Sequence, residues 1–153
     1  SIDEVFLEIA ENKKSFDYIG REILDKVYKW TGLITRVGVG PNKTLAKIGN
    51  NLAKKSKKAE GLVNLVNSKY VDVALERTKI EDVWGIGPQK TAFLKRNGIH
   101  TASELASADD RWVQKNLTIV GLRTVWELRG ISCLPLEEAV PPRQSIVCSR
   151  SFG

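Results

Sequence analysis

A chain of 153 residues, 42% hydrophobic and 27% charged, can bury a real core as one ordinary domain or two small ones, and it reads as globular. It carries no apolar run near the roughly 18 residues that span a bilayer and no charged-then-apolar leader, so a cytoplasmic protein with no membrane partner is expected. The formal net charge is +6, and most of the excess falls in one segment, where Lys43, Lys47, Lys54, Lys55, Lys57 and Lys58 face Glu60 alone. Such a stripe suits the phosphates of a nucleic acid; a solvated loop after a helix explains the same charges equally well. Cys133 and Cys148 show neither C-x-x-C spacing nor a matching His pair, which argues against a disulfide framework or a zinc site and leaves two reduced thiols.

Residues 1–10 alternate as a strand, with Asp3, Val5, Leu7 and Ile9 on one face and Glu4, Phe6 and Glu8 on the other. Asp3 and Glu4 would then point apart, so they can share a cation only at a strand end or turn tip, where the expectation places them. Paired carboxylates supply the oxygen ligands that Mg²⁺ prefers, although a solvated acidic strand end accounts for these two residues by themselves. Phe16, Ile19, Ile23, Val27 and Trp30 follow at helical spacing, with Ser15 as cap and Gly32 as stop. This predicts an amphipathic helix covering a sheet, its aromatic members read as core. Residues 35–40 predict a second strand, Pro41-Asn42 the start of a helix through Ala53, and residues 61–66 a third strand. Gly38-Val39-Gly40 before a helix start has some likeness to a phosphate-binding turn, but its spacing fits neither a P-loop nor a dinucleotide fingerprint. The first part is thus a β-α-β-α-β layered unit.

Beyond Val66 no strand pattern persists. Residues 69–76, 88–97, 101–107, 110–117 and 123–129 predict short helices separated by glycines, a small all-helical part. Within it, Val83-Trp84-Gly85-Ile86-Gly87-Pro88, with Lys90, Leu94 and Gly98-Ile99, has the form of a helix-hairpin-helix. Its glycines permit a tight turn and close backbone approach, and Pro88 suits a first helical position, so that exposed amides can hold a DNA phosphate without reading sequence. A plain helix-helix corner is the simpler alternative. Residues 118–123 suggest a second, degenerate copy. His100 has no catalytic partner in the sequence and is read as a surface or capping residue. Residues 139–143 hold Pro141-Pro142 and read as an extended linker, and residues 145–152 alternate like a further strand. The two ends lead one to expect a piece of something longer.

Together these landmarks resemble the Y-family translesion DNA polymerases, most closely their UmuC branch. The resemblance covers essentially the whole chain and rests on SIDEVFLE at 1–8, VGVGPNKTLAKIGNNLAKK at 37–55, DVWGIG at 82–87, GIHTASELA at 98–106, RTVWELRGISCLPLEE at 123–138 and CSRSFG at 148–153. It implies an α+β fold, with residues 1–65 as the C-terminal half of a palm, 66–138 as a thumb with the helix-hairpin-helix, and 139–153 as linker and first strand of the little finger. It also implies template-directed nucleotidyl transfer in damage tolerance of the SOS type, with primer–template DNA and an incoming deoxynucleoside triphosphate as partners. Asp3 and Glu4 would be two of three carboxylates holding a catalytic Mg²⁺ pair, and Lys54 would touch the triphosphate. Gly85, Ile86 and Gly87, with Lys90, Lys43 and Lys47, would contact DNA.

Accessory subunits and a sliding clamp would engage regions not present here, in a bacterial, nucleoid-associated setting. The family's first metal-binding Asp and its fingers are not among these residues, so the 153-residue chain alone is expected to hold metal poorly and not to polymerise. A reading of a different class is a stand-alone, non-catalytic helix-hairpin-helix module that binds DNA, with Asp3-Glu4 merely structural.

Overall fold

The hydroxyl of Ser15 accepts the Tyr18 N–H, and Gly32 closes the same helix in the left-handed region, so α1 runs Phe16–Thr31 with both ends set by the expected residues. The computed structural model describes residues 3–9 and 14–135. The linker and last strand expected at 139–153, with Cys148, lie outside the described residues. After α1 come β1 (Val37–Val39), α2 (Lys43–Lys55), β2 (Leu62–Asn64), α3 (Val71–Arg77), α4 (Pro88–Arg96), α5 (Ala102–Ala106) and α6 (Asp110–Leu128), with short 3₁₀ turns at Lys57–Ala59 and Ile80–Asp82. The class is α+β, as expected.

The sheet is smaller than the sequence suggests. β1 and β2 pair in parallel, Val37 opposite Leu62 and Val39 opposite Asn64, across the α2 connection. Residues 4–9 form no strand. The alternation there is real, but a strand exists only where a neighbour accepts its hydrogen bonds, and Val5 and Leu7 stand 79% and 63% exposed with no such neighbour among the described residues. The unit seen is therefore α-β-α-β rather than β-α-β-α-β. The same shortness corrects the reading of Trp30 as core. Phe16, Ile19, Ile23 and Val27 are half-buried over the two strands, whereas Trp30, in the last turn, passes beyond them and is 75% exposed.

The glycines before α2 serve packing. A Cβ on Gly38 would lie 2.1 Å from the Ala46 carbonyl oxygen and the Asn50 nitrogen, and one on Gly40 would lie 2.5 Å from the Ala46 nitrogen. α2 thus rests directly on the backbone of β1, and only glycine fits at those points. The likeness of this turn to a phosphate cradle is corrected by what occupies the helix start. Asn42 caps α2 by accepting the Leu45 N–H, and the Glu127 carboxylate receives the Thr44 N–H at 3.0 Å and the Thr44 hydroxyl at 2.5 Å.

Glu127 belongs to α6, which is bent at Thr118 (φ 67°, ψ −178°). A straight helix would separate Asp110 from Trp126 by about 24 Å, yet the Trp126 indole donates to Asp110 at 2.9 Å. The two arms therefore fold back side by side, and the separate helices expected at 110–117 and 123–129 form a helical hairpin with its turn where the degenerate second copy is expected. Arg129 ties the open end of the hairpin, donating to Asp110 and to the carbonyls of Ala106 and Ala108.

One core runs through both parts of the chain: Leu45, Ile48 and Leu65 pack in the same cluster as Ile80, Leu94, Leu105, Val113, Val125 and Leu128. Glu127 lies at its edge, 0% exposed. Its second oxygen accepts the Cys133 and Leu134 N–H groups, both at 3.0 Å, and its backbone carbonyl accepts the Asn42 amide at 2.8 Å. Replacing it with Leu would strand the buried Thr44 N–H and two half-buried ones, those of Cys133 and Leu134. Glu127→Leu is expected to lower unfolding free energy by about 3 kcal/mol or more, read by urea denaturation; a loss under about 1 kcal/mol would show the carboxylate to be dispensable.

Candidate active site and nucleic-acid interface

α2 carries the cations that meet the acidic pair. Lys43, Lys47 and Lys54, one and then two turns apart along this helix, face the segment that begins at Asp3, while Leu45 and Ile48 fill the core behind them. Lys47 Nζ lies 2.8 Å from Glu4 Oε2 and Lys54 Nζ lies 3.6 Å from Glu4 Oε1, so each carboxylate oxygen faces an ammonium group. The Glu4 and Lys47 side chains are each 23% exposed, a half-sheltered pair whose attraction is stronger than that of a fully solvated one. The Lys47 hydrogen bond holds the Glu4 carboxyl below the usual carboxylate range; partial burial opposes this, and the charges of Lys47 and Lys54 reinforce it. Asp3 sits in a turn and is exposed, matching the expected tip. Among the described residues no three His, Cys, Asp or Glu side chains converge as a metal cluster.

The basic stripe is only partly open to an outside anion. Lys43 donates to the Pro135 carbonyl at 2.7 Å, Lys47 and Lys54 hold Glu4, and Lys55 pairs with Asp82 at 2.7 Å. Lys57 and Lys58, on the turn after α2, are exposed. Sequence spacing places these side chains on one helix, but only the fold reveals that four of the six lysines are engaged internally.

A glycine turn forms where the hairpin is expected, between the 3₁₀ turn Ile80–Asp82 and α4 rather than between two α-helices. The Ile86 N–H donates to the Val83 carbonyl, Gly85 adopts φ 85°, and Gly87 and Pro88 open α4 with no side-chain cap. Ile86 is buried and anchors the turn, while a Cβ on Gly87 would meet nothing within 4 Å. The loop thus presents bare backbone on its outer side. Lys90 reaches back toward the Gly85 carbonyl at 3.5 Å.

Trp84, on this hairpin, packs against Phe6 with ring centroids 5.5 Å apart, which brings the hairpin beside the acidic pair. His100 is exposed, and its backbone N–H, with that of Thr101, donates to Glu104 in a capping box, a structural part as the sequence suggests. Sequence reasoning missed Glu127 and Trp84. No spacing signal marked the first, since Glu127 falls on the opposite side of the helix from Leu122, Val125 and Leu128; a tryptophan in a glycine turn was the available signal for the second.

Two solved structures align with this fold. DinB from Sulfolobus solfataricus aligns at a TM-score of 0.55 with 27% identity, over 72% of this chain and 31% of that one. A Dbh ternary complex aligns at 0.56 with 28% identity, over 75% of this chain and 34% of that one. The family model described as impB/mucB/samB matches residues 1–51. Over its whole length the chain is 43% identical to the protein SamB and 42% identical to the protein UmuC, both of Salmonella typhimurium. It is also 30% identical to DNA polymerase IV of Bacteroides fragilis over 99% of its length. Residues 1–51 thus match the impB/mucB/samB family model, and the whole chain is similar to the proteins SamB and UmuC. It spans 37% of the length of SamB and UmuC.

The Glu4–Lys47 pair makes a signed prediction. The folded Glu4 carboxyl releases its proton more readily than the unfolded one, so the unfolded chain binds more protons in acid. The pair's contribution is therefore present above the ordinary carboxylate pKa of about 4 and fades as pH falls through the lower folded value. Lys47→Gln is expected to be less stable than wild type near neutrality, with the difference shrinking below about pH 4 in urea titrations; a pH-independent difference would contradict the pairing.

Proposed function

We propose that this chain is the palm-and-thumb part of a lesion-bypass DNA polymerase that joins deoxynucleotides to a primer under template direction, residues 1–65 contributing to the palm and 66–138 to the thumb. The observation that carries the reading is the meeting of the Asp3-Glu4 turn, the lysines of α2 and the glycine hairpin at one place in a chain related along its whole length to SamB and UmuC.

Divalent metal, Mg²⁺ by its preference for oxygen ligands, fits the donor set. Both oxygens of Glu4 already face cations, as a carboxylate built to hold positive charge would. Asp3 and Glu4 would hold the ions together with a third carboxylate from outside these residues. Metal bound there supplies acidity to the primer 3′-hydroxyl and neutralises the departing pyrophosphate.

The chain's own residues do the remainder. Lys54 exchanges its long contact with Glu4 for the triphosphate of the incoming nucleotide. Gly85, Ile86 and Gly87 form the turn that meets a phosphate of the duplex, Gly85 and Gly87 offering backbone N–H groups while Ile86, its own N–H held by the Val83 carbonyl, anchors the turn; Lys90 stands beside them and Lys43 and Lys47 on the palm side, a contact that positions DNA without reading its sequence. No helix among the described residues is long and apolar enough to cross a membrane, and a bacterial, nucleoid-associated cytoplasmic setting, with accessory subunits and a sliding clamp as further partners, suits the reading. The non-catalytic DNA-binding module gains no support from relatives that match the chain from end to end.

The deciding experiment is single-nucleotide incorporation by the full-length protein. Asp3→Ala is expected to reduce Mg²⁺-dependent incorporation by at least about 100-fold while leaving primer–template affinity nearly unchanged. Retained synthesis would favour the module.

A further inference from the structure

The acidic turn and the DNA hairpin touch through side chains that the polymerase reading leaves without a role. Trp84 lies between the hairpin glycines and the palm. Its ring meets Phe6 at 5.5 Å, with an interplanar angle of 35°, and Lys47 Nζ lies 5.6 Å from its centroid. The same ammonium holds Glu4 at 2.8 Å. On the other side, Lys43 Nζ lies 5.7 Å from the Phe6 ring while its hydrogen bond runs to the Pro135 carbonyl. An aromatic pair with a cation at each ring thus joins the segment carrying Glu4 to the hairpin carrying Gly85 and Gly87.

The physical consequences are specific. A tryptophan face attracts an ammonium group and keeps water off it, and both effects favour one Lys47 rotamer. Lys47 is the closest partner of Glu4, so fixing Lys47 fixes where the carboxylate points. Trp84 is 36% exposed, and the neighbouring Ile86 is sunk in the core, so the backbone that carries the ring is anchored. Lys55 pairs with Asp82 just before the same turn and pins it to the far end of α2. A hairpin gripping a phosphate is in this way held in register with the carboxylate two residues before Phe6.

We propose that Trp84 is a positioning residue for Glu4, acting through Phe6 and Lys47, so that the seating of the hairpin on a duplex and the aim of the carboxylate are set together. The inference rests on the polymerase reading for its effect on rate, but the latch itself is a property of the free protein.

The test uses the full-length protein with Trp84→Ala, Trp84→Phe, Phe6→Ala and the Phe6/Trp84 double variant. At saturating primer–template, Trp84→Ala is expected to lower kcat for single-nucleotide incorporation by about 10-fold, the usual effect of losing a supporting contact behind a ligand, with primer–template affinity within about 2-fold because the backbone grip is intact. Trp84→Phe, which keeps a ring against Phe6, is expected to restore most of the rate. In thermal unfolding of the metal-free protein the two Ala substitutions are expected to be non-additive. Wild-type kcat in Trp84→Ala, a rate loss that Trp84→Phe does not restore, a loss confined to DNA affinity, or additive unfolding effects would each overturn the proposal. A wild-type protein that incorporates no nucleotide would defeat the polymerase reading instead, and the unfolding cycle, which needs no activity, would still decide whether the latch exists.

Discussion

The buried carboxylate of Glu127 is the contact on which the arrangement depends. It is wholly enclosed, and its two oxygens take the Thr44 N–H and hydroxyl from one direction and the Cys133 and Leu134 amides from the other. A buried charge is tolerated only when its hydrogen-bonding capacity is met by preorganised donors. The start of α2 provides such donors, because its first amides lack intrahelical partners and carry the positive end of the helix dipole. The anion at this helix start is thus part of the protein, and it ties the tail of α6 to the helix that presents Lys47 and Lys54.

α2 acts as the spine of the molecule. Its underside rests on β1 through Gly38 and Gly40, its start is held by Glu127, its middle meets Glu4 and Trp84, and its end pairs with Asp82. The proposed reaction requires a carboxylate, a triphosphate contact and a DNA grip to keep fixed separations, since small displacements of reacting groups are costly in rate. A single helix that touches all three meets that requirement with few parts. The continuous core, from Ile48 through Leu94 to Val125, supports it from behind.

Local chemistry in the sequence was enough for the helices. Ser15, Gly32, Asn42 and Pro88 mark the helix boundaries at which they are found, because caps and stops act within a few residues of themselves. The acidic turn and the hairpin were legible for the same reason. What failed to read through depended on distant partners. Residues 4–9 carry a strand pattern but lack a strand to pair with among the described residues, and Trp30 lies on an apolar stripe longer than the sheet beneath it. Gly38 and Gly40 looked like a phosphate turn because close backbone packing and close ligand approach both call for glycine. Glu127 and Trp84 act across some 80 residues of chain, a separation at which no spacing rule applies.

Native-state hydrogen exchange on the 153-residue chain tests most directly whether α2 and the helical part are one mechanical unit. If they are, the amides of Ile48 and Leu52 in α2 and of Val113 and Val125 in α6 will open with the same free energy and the same denaturant dependence. Opening of α2 at a distinctly lower free energy, with α6 still protected, would contradict the account.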